Sequence, residues 1–315
     1  MRAAFRVKQP RQRTPRHPDT TFPHSSDRPC LIPERTSYAV LCRLISLVAA
    51  LAVLSATGAF CGEKNQATVT SNEVEKNRSL FEHFYGYEPV YFLYGWDPSN
   101  IKFQISFKYR LINPGGSLAK KRPRMADFYF GYTQTSFIDL DSPSDAFLDN
   151  SFKPEFMFSQ KNLLKQPPAW LSRLGLEAGI QHQSNGDAGA DSRSLNILYA
   201  KPILKFGDLD TYYFTTAPKV WLYVGNISEN PDIADYWGYF DLELRWGKID
   251  GLEMRSNWRQ GSEGGSLQLD LTYPLRVLCF GNCNGSFQVQ YFTGYGETLL
   301  LYNQKDSQLR VGVAV

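Results

Sequence analysis

From about residue 88 to the C-terminus the chain is written in period two. Ile101, Phe103, Ile105, Phe107, Tyr109 and Leu111 alternate with Lys102, Gln104, Ser106, Lys108 and Arg110. The same alternation runs through Phe240–Trp246, Leu267–Tyr273 and Phe287–Tyr291. Successive side chains of a strand point to opposite faces, so this pattern specifies strands with one apolar and one polar face. A soluble sandwich packs its apolar face inward. A membrane barrel turns that face to lipid and lines its interior with the polar one. Twelve such segments are expected, at 88–96, 100–111, 126–138, 152–160, 172–185, 192–206, 211–225, 237–248, 252–260, 264–275, 285–296 and 307–315. An even number returns both ends to one side of a closed sheet.

Three features favour the barrel. The segments run to about 9–14 residues, aromatic residues make up 14% of the chain and gather near segment ends, and an export signal precedes the strands. A mean hydropathy of −0.35 argues against a helical membrane protein but not against a barrel, where only alternate residues meet lipid. The formal charge of +3 over 315 residues gives no nucleic-acid signature. The fold class expected is all-β, a 12-stranded antiparallel transmembrane β-barrel.

Residues 1–37 are a basic, Pro-rich leader that cannot build a core, and a start site misplaced upstream would account for it. Residues 38–59 read as a signal peptide: Arg43, an apolar run from Leu44 to Leu54, then small residues up to a cleavage point after Ala59. A lipoprotein reading at Cys61 is disfavoured by the bulky Phe60 before it. Residues 60–87 form an N-terminal periplasmic segment, and 88–315 the barrel. Export leaves Cys279 and Cys283 as either a disulfide or two free thiols in a turn.

One segment carries chemistry. In Gly179-Ile180-Gln181-His182-Gln183-Ser184-Asn185-Gly186, His182 and Ser184 continue the apolar face of a strand. They therefore point toward lipid, an expensive place for polar groups without partners or a task. An imidazole beside a hydroxyl is a general base beside a nucleophile. If the hairpin is centred on Gly189, Asn196 lies directly across from His182, with Cβ atoms about 4.5–5.5 Å apart. Its amide oxygen then accepts the Nδ1 proton and leaves Nε2 free for the serine. The same register sets Ser192 opposite Gly186. His83 reads as a packing residue, and the lumen charges Lys102, Lys108, Arg110, Asp241, Glu243 and Arg245 as a mutually satisfied network.

The stretch from His182 to Asn196 resembles the signature of the outer membrane phospholipase A family. The resemblance continues through Tyr132-Thr133-Gln134, Gly225-Asn226, Asn230-Pro231-Asp232-Ile233, Gly238-Tyr239 and Gly294-Tyr295-Gly296-Glu297. It implies Ser184 as nucleophile, His182 as base, Asn196 as the residue orienting it, and the Gly186 amide in the oxyanion hole. It implies Ca²⁺ held by the Asp187 carbonyl, the Ser192 hydroxyl and, from a second subunit, the Ser144 carbonyl. Glu229 would serve a weaker calcium site of the monomer, where Gly189 replaces an acidic residue. It further implies a homodimer with Gln134 at the interface, outer-membrane localisation, and phospholipids and lysophospholipids as substrates. Asp187 stands where a relative has a basic residue, and the chain ends on Val315 rather than the Phe common to such barrels. The competing expectation is a non-catalytic pore or structural barrel; a soluble secreted esterase is a third.

Overall fold

The computed structural model describes residues 81–141, 147–208, 211–281 and 283–315. The leader, the signal peptide, Cys61 and Ser144 lie outside the described residues. Twelve antiparallel strands follow one another around a closed sheet. They are β1 (Tyr91–Trp96), β2 (Ser99–Arg110), β3 (Phe128–Asp139), β4 (Phe147–Gln160), β5 (Arg173–Ser184) and β6 (Ser194–Gly207). The second half comprises β7 (Tyr213–Tyr223), β8 (Phe240–Gly247), β9 (Glu253–Gln260), β10 (Gly265–Pro274), β11 (Ser286–Tyr295) and β12 (Lys305–Ala314). Each strand pairs with its chain neighbour, and β12 closes on β1 through Arg310↔Gly95 to Ala314↔Tyr91. A two-residue strand, Phe84–Tyr85, adds to β2 just before the barrel begins.

All twelve expected strands are present. The largest boundary difference is at β4, which starts at Phe147 instead of 152. Phe147-Leu148-Asp149-Asn150-Ser151 lacks alternation, and its pairing with β3 needs a register shift between Phe137 and Ile138. Tertiary pairing holds this stretch in the sheet, including the buried Asp149 carboxylate, which accepts the Leu300 N–H at 2.9 Å.

Polarity is inverted relative to a soluble protein. Lys102, Ser106 and Lys108 of β2 are buried, while Ile105 beside them is 48% exposed. Around the outside, Phe156, Ile180, Leu198 and Leu222 face each other across β4 to β7 as one exposed apolar row. Among the described residues no helix is long and apolar enough to cross a membrane.

The lumen is held by paired charges. Lys102 Nζ reaches Gln290 at 2.7 Å and Glu297 at 3.1 Å, and Arg310 Nη2 meets the other Glu297 oxygen at 3.1 Å. A second cluster sets Arg255 between Glu88 and Glu243, both at 2.8 Å, with Lys201 on Glu243 at 3.2 Å and Arg245 also on Glu243. Lys108 joins Ser159 and Glu177, and Arg110 donates to the Tyr129 hydroxyl. Asp241 lines a cavity of about 480 Å³ left between these clusters.

The end of the barrel away from the termini is closed differently. A short helix α2 (Ile233–Trp237), on the β7–β8 connection, and residues 296–304 fold over the opening; α1 (Ser117–Lys121) and α3 (Leu275–Leu278) lie at the terminal end. Ile233, Trp237, Leu299 and Tyr302 pack on Leu195, Ile197, Tyr199 and Trp221 of the strand interiors. The expectation of a lumen lined by polar residues holds for most of its length and fails here, because the connections bring their own apolar side chains inside. Cys279 and Cys283 are disulfide-bonded on the β10–β11 connection.

Glu297 lies beyond β11, outside the strands. Burial pushes its carboxyl up, and the Lys102 and Arg310 charges more than reverse this, leaving its pKa below the usual range. Its stabilisation is therefore full above its unfolded value of about 4.3 and is lost as pH falls through the lowered folded value. Glu297→Ala leaves two buried cations without their carboxylate and is expected to cost about 3–5 kcal/mol near pH 7. Urea titrations of both proteins should show that difference shrinking below about pH 4.

Candidate active site

The hairpin of β5 and β6 has the register expected from Gly189: His182 faces Asn196, Gln183 faces Leu195 and Ser184 faces Ser194. Just past the strands the Asn185 N–H donates to the Arg193 carbonyl at 3.1 Å. Hydrogen-bonded and non-hydrogen-bonded pairs alternate along an antiparallel ladder, so His182 and Asn196 form a non-hydrogen-bonded pair, where side chains approach closest. His182 Nδ1 lies 2.9 Å from Asn196 Oδ1. An amide oxygen can only accept, so Nδ1 carries the shared proton and Nε2 presents a lone pair. Ser184, two residues on, shares that face.

The pattern of β6 explains why Asn196 is on the outside. Leu195 and Ile197 turn inward onto the apolar plug, so the polar residue between them must point out. The plug thus fixes the facing of the strand that carries the third residue of the site.

Gly186 directly follows Asn185 at φ +80°, a conformation that favours glycine. A Cβ there would lie 2.8 Å from the Phe152 ring, which the register places beside Ser184 on β4. The loop from 185 to 193 is organised by Asn185, which is 2% exposed. Its amide donates to the Asp191 carbonyl at 2.7 Å and the Asp187 carboxylate at 2.9 Å, and its oxygen accepts from the Arg193 N–H at 2.9 Å. On the far side, Ser194 Oγ donates to Glu229 at 2.8 Å, and the fully buried Asn230 donates to the Ser194 carbonyl at 2.9 Å. Asn185, Phe152 and Asn230 carry no role legible in the sequence, although Asn230 stands in one of the motifs of the resemblance. Asn185 lay inside the signature itself, but only the loop contacts give it a task.

Of the expected calcium ligands, Asp187 and Ser192 lie on the β5–β6 connection and Glu229 on the β7–β8 connection, while Ser144 is outside the described residues. Among the described residues no three His, Cys, Asp or Glu side chains converge as a metal cluster. The donors that the connection carrying Gly186 offers are main-chain carbonyls, the Ser192 hydroxyl and the Asp187 and Asp191 carboxylates. This all-oxygen set suits a hard cation such as Ca²⁺ and is unsuited to a soft one.

Gln134, Phe152, Ser184 and Ser194 form one row across β3 to β6 on the outer face. Gln134 accepts from the Tyr132 hydroxyl at 2.9 Å and donates to Ser136 Oγ at 3.1 Å, which donates in turn to Asn150 at 2.7 Å. A chain of polar groups thus runs along an otherwise apolar wall, two strands from Ser184, or on the order of 10 Å.

Comparison with known proteins gives one answer. The sequence profile described as phospholipase A1 matches residues 63–315. A protein of Neisseria meningitidis serogroup B is 34% identical over 221 residues, covering 67% of this chain and 53% of its own; the chain spans about half the length of that relative. The phospholipase A1 of Escherichia coli K12 is 29% identical over 224 residues, covering 68% of each protein. Two solved structures share the fold. Outer membrane phospholipase A from Escherichia coli has a TM-score of 0.61 at 24% identity, covering 74% of this chain and 98% of that one. The Salmonella typhi outer membrane phospholipase dimer with bound calcium has a TM-score of 0.61 at 22% identity, covering 80% and 98%. The chain belongs to the phospholipase A1 family.

Proposed function

We propose that this protein is an outer-membrane phospholipase that hydrolyses acyl esters of phospholipids and lysophospholipids from the lipid-facing side of its barrel. The observation that carries the reading is the His182–Asn196 contact of 2.9 Å on the outer face, beside Ser184. Ser184 Oγ attacks the ester carbonyl as His182 Nε2 takes its proton. The protonated imidazole, held by Asn196, returns that proton to the leaving alcohol. Water then enters and attacks the acyl carbonyl as His182 removes its proton; His182 returns that proton to Ser184 Oγ as the Ser184–acyl bond breaks, and the acyl group leaves as a fatty acid. The Gly186 N–H stabilises the oxyanion, a kind of contribution worth about 2.7–4 kcal/mol for one donor. Calcium, found in the Salmonella typhi relative, would add positive charge beside that oxyanion. The carbonyl of Asp187, the hydroxyl of Ser192 and the partner subunit's Ser144 would hold it, with Glu229 serving a weaker site of the monomer.

Homodimerisation belongs to the same reading. Polar groups facing lipid need partners, and the Tyr132–Gln134–Ser136–Asn150 chain crosses the row of the nucleophile at Gln134. A second barrel docked there satisfies those groups and walls one side of an acyl-chain cleft. Of the rival readings, a non-catalytic pore is disfavoured by the apolar plug over the lumen, while a structural barrel is left to the activity test.

Fatty-acid release from phospholipid micelles tests the assignment. Ser184→Ala and His182→Ala should each lower the rate by about 10³-fold or more. Asn196→Ala, which only misorients the base, should lower it by about 10–100-fold. Excess chelator should abolish release, and added Ca²⁺ should restore it. No release from a folded, dimeric wild-type barrel under any of these conditions would leave a non-catalytic pore or structural barrel as the better account. Gln134→Ala should weaken the dimer several-fold in chemical cross-linking, with kcat per dimer nearly unchanged.

A further inference from the structure

The two ends of the barrel carry opposite charge. Connections at the site end bear Asp97, Asp141, Asp187, Asp191, Glu229 and Glu263. At the terminal end, the β2–β3 connection carries Lys120, Lys121, Arg122 and Arg124, and the β4–β5 connection carries Lys161 and Lys165. All six basic side chains are exposed. None belongs to an ion pair among the described residues, whereas Arg276 on another connection at the same end is paired with Asp250. Asp127 of the same rim acts on Arg124 at longer range and leaves the rim strongly net positive.

The two basic connections are neighbours. Phe128 pairs with Phe158, and the 3₁₀ turn Pro123–Asp127 packs against β4, so residues 124–127 run along the rim beside the start of the β4–β5 connection. Their apolar side chains are exposed as well: Leu118 at 47%, Leu164 at 41% and Trp170 at 66%. Trp170 stacks on Phe206 of β6 with ring centroids 6.1 Å apart, which fixes it to the outer wall. Exposed Trp on the wall of a membrane barrel marks the height of the lipid headgroups. The cations therefore stand where headgroup phosphates lie, and the exposed leucines and Trp170 can enter the acyl boundary below them.

We propose that this rim, formed by residues 111–127 and 161–172, is a docking surface for anionic phospholipid headgroups in the leaflet on the terminal side. The proposal rests on the membrane orientation of the preceding reading but uses no part of the catalytic site. Recognition is by charge: unpaired ammonium and guanidinium groups meet the net negative charge of a phosphatidylglycerol, which a zwitterionic headgroup lacks. The surface would hold the barrel at a fixed depth and keep a ring of anionic lipid under the strands that carry the site.

The test uses ether-linked lipids, which contain no acyl ester to cut. The full protein is reconstituted in ether-linked phosphatidylcholine bilayers, and the protein-bound fractions of spin-labelled ether phosphatidylglycerol and phosphatidylcholine are compared. One fully engaged basic side chain corresponds to roughly fivefold preference for the anionic lipid, and a preference of at least about twofold is expected on averaging around the whole barrel. Lys120→Gln, Lys121→Gln, Arg122→Gln and Arg124→Gln combined should at least halve it. Lys120→Arg with Lys121→Arg should retain it, and hydrolysis of ester substrates in mixed micelles should be unchanged in both. Equal binding of the two lipids by the wild type would overturn the proposal. So would a preference undiminished in the neutral variant, or one lost equally in the Lys→Arg variant. Loss of hydrolysis in the wild type would count against the enzyme reading and leave the lipid measurement standing.

Discussion

Backbone hydrogen bonding governs this structure. In hydrocarbon an unpaired N–H or C=O finds no water, so a sheet in that medium has to leave no edge. The pairing of β12 with β1 meets this condition, and each strand in between is satisfied by its two sequence neighbours. Once the sheet is closed, every residue has an assigned side. A shift of one residue at any hairpin would exchange wall and lumen for all that follows. The positions of His182, Ser184 and Asn196 are consequences of that arithmetic before they are features of an enzyme.

Closure creates a second problem, an interior that must be filled. Most of it is filled by charges in mutual contact, with Glu297 and Glu243 each gathering at least two cations. Near the site the solution changes to apolar packing, with Ile233 and Leu299 fully buried against β6 and its neighbours. This change lets Leu195 and Ile197 face inward and so leaves Asn196 outside with His182. The filling of the lumen and the composition of the outer surface are coupled through the facing of a single strand.

Much of this was legible in the sequence. The period of two gave all twelve strands, because side chains alternate whatever the medium. The hairpin centre at Gly189 gave the pairing of His182 with Asn196, because the loop of residues 185–193 closes symmetrically about that glycine and the ladder beyond it runs without a bulge. The early start of β4 was hidden, since Phe147 to Ser151 follow no alternation and are held by pairing and by Asp149 bonding to a distant loop. The apolar plug was hidden for the same kind of reason: nothing local in Ile233 or Leu299 says that a connection turns back into the barrel. Asn185 acts through side-chain bonds inside an irregular loop, and Asn230 through a long-range bond to a strand end, neither of which an alternating pattern encodes.

Ser184 is the last residue of β5, and the polar loop begins at the next position. On the proposed reading, substrate would arrive there by lateral diffusion within the membrane, a two-dimensional search. The scarce reactant at such a place is water, needed only for the second half of the reaction. As the proposed nucleophile, a serine deeper along the strand would be acylated and then stranded. Set at the strand's end, it would lie where ester carbonyls and solvent are both within reach, and one residue could serve both half-reactions.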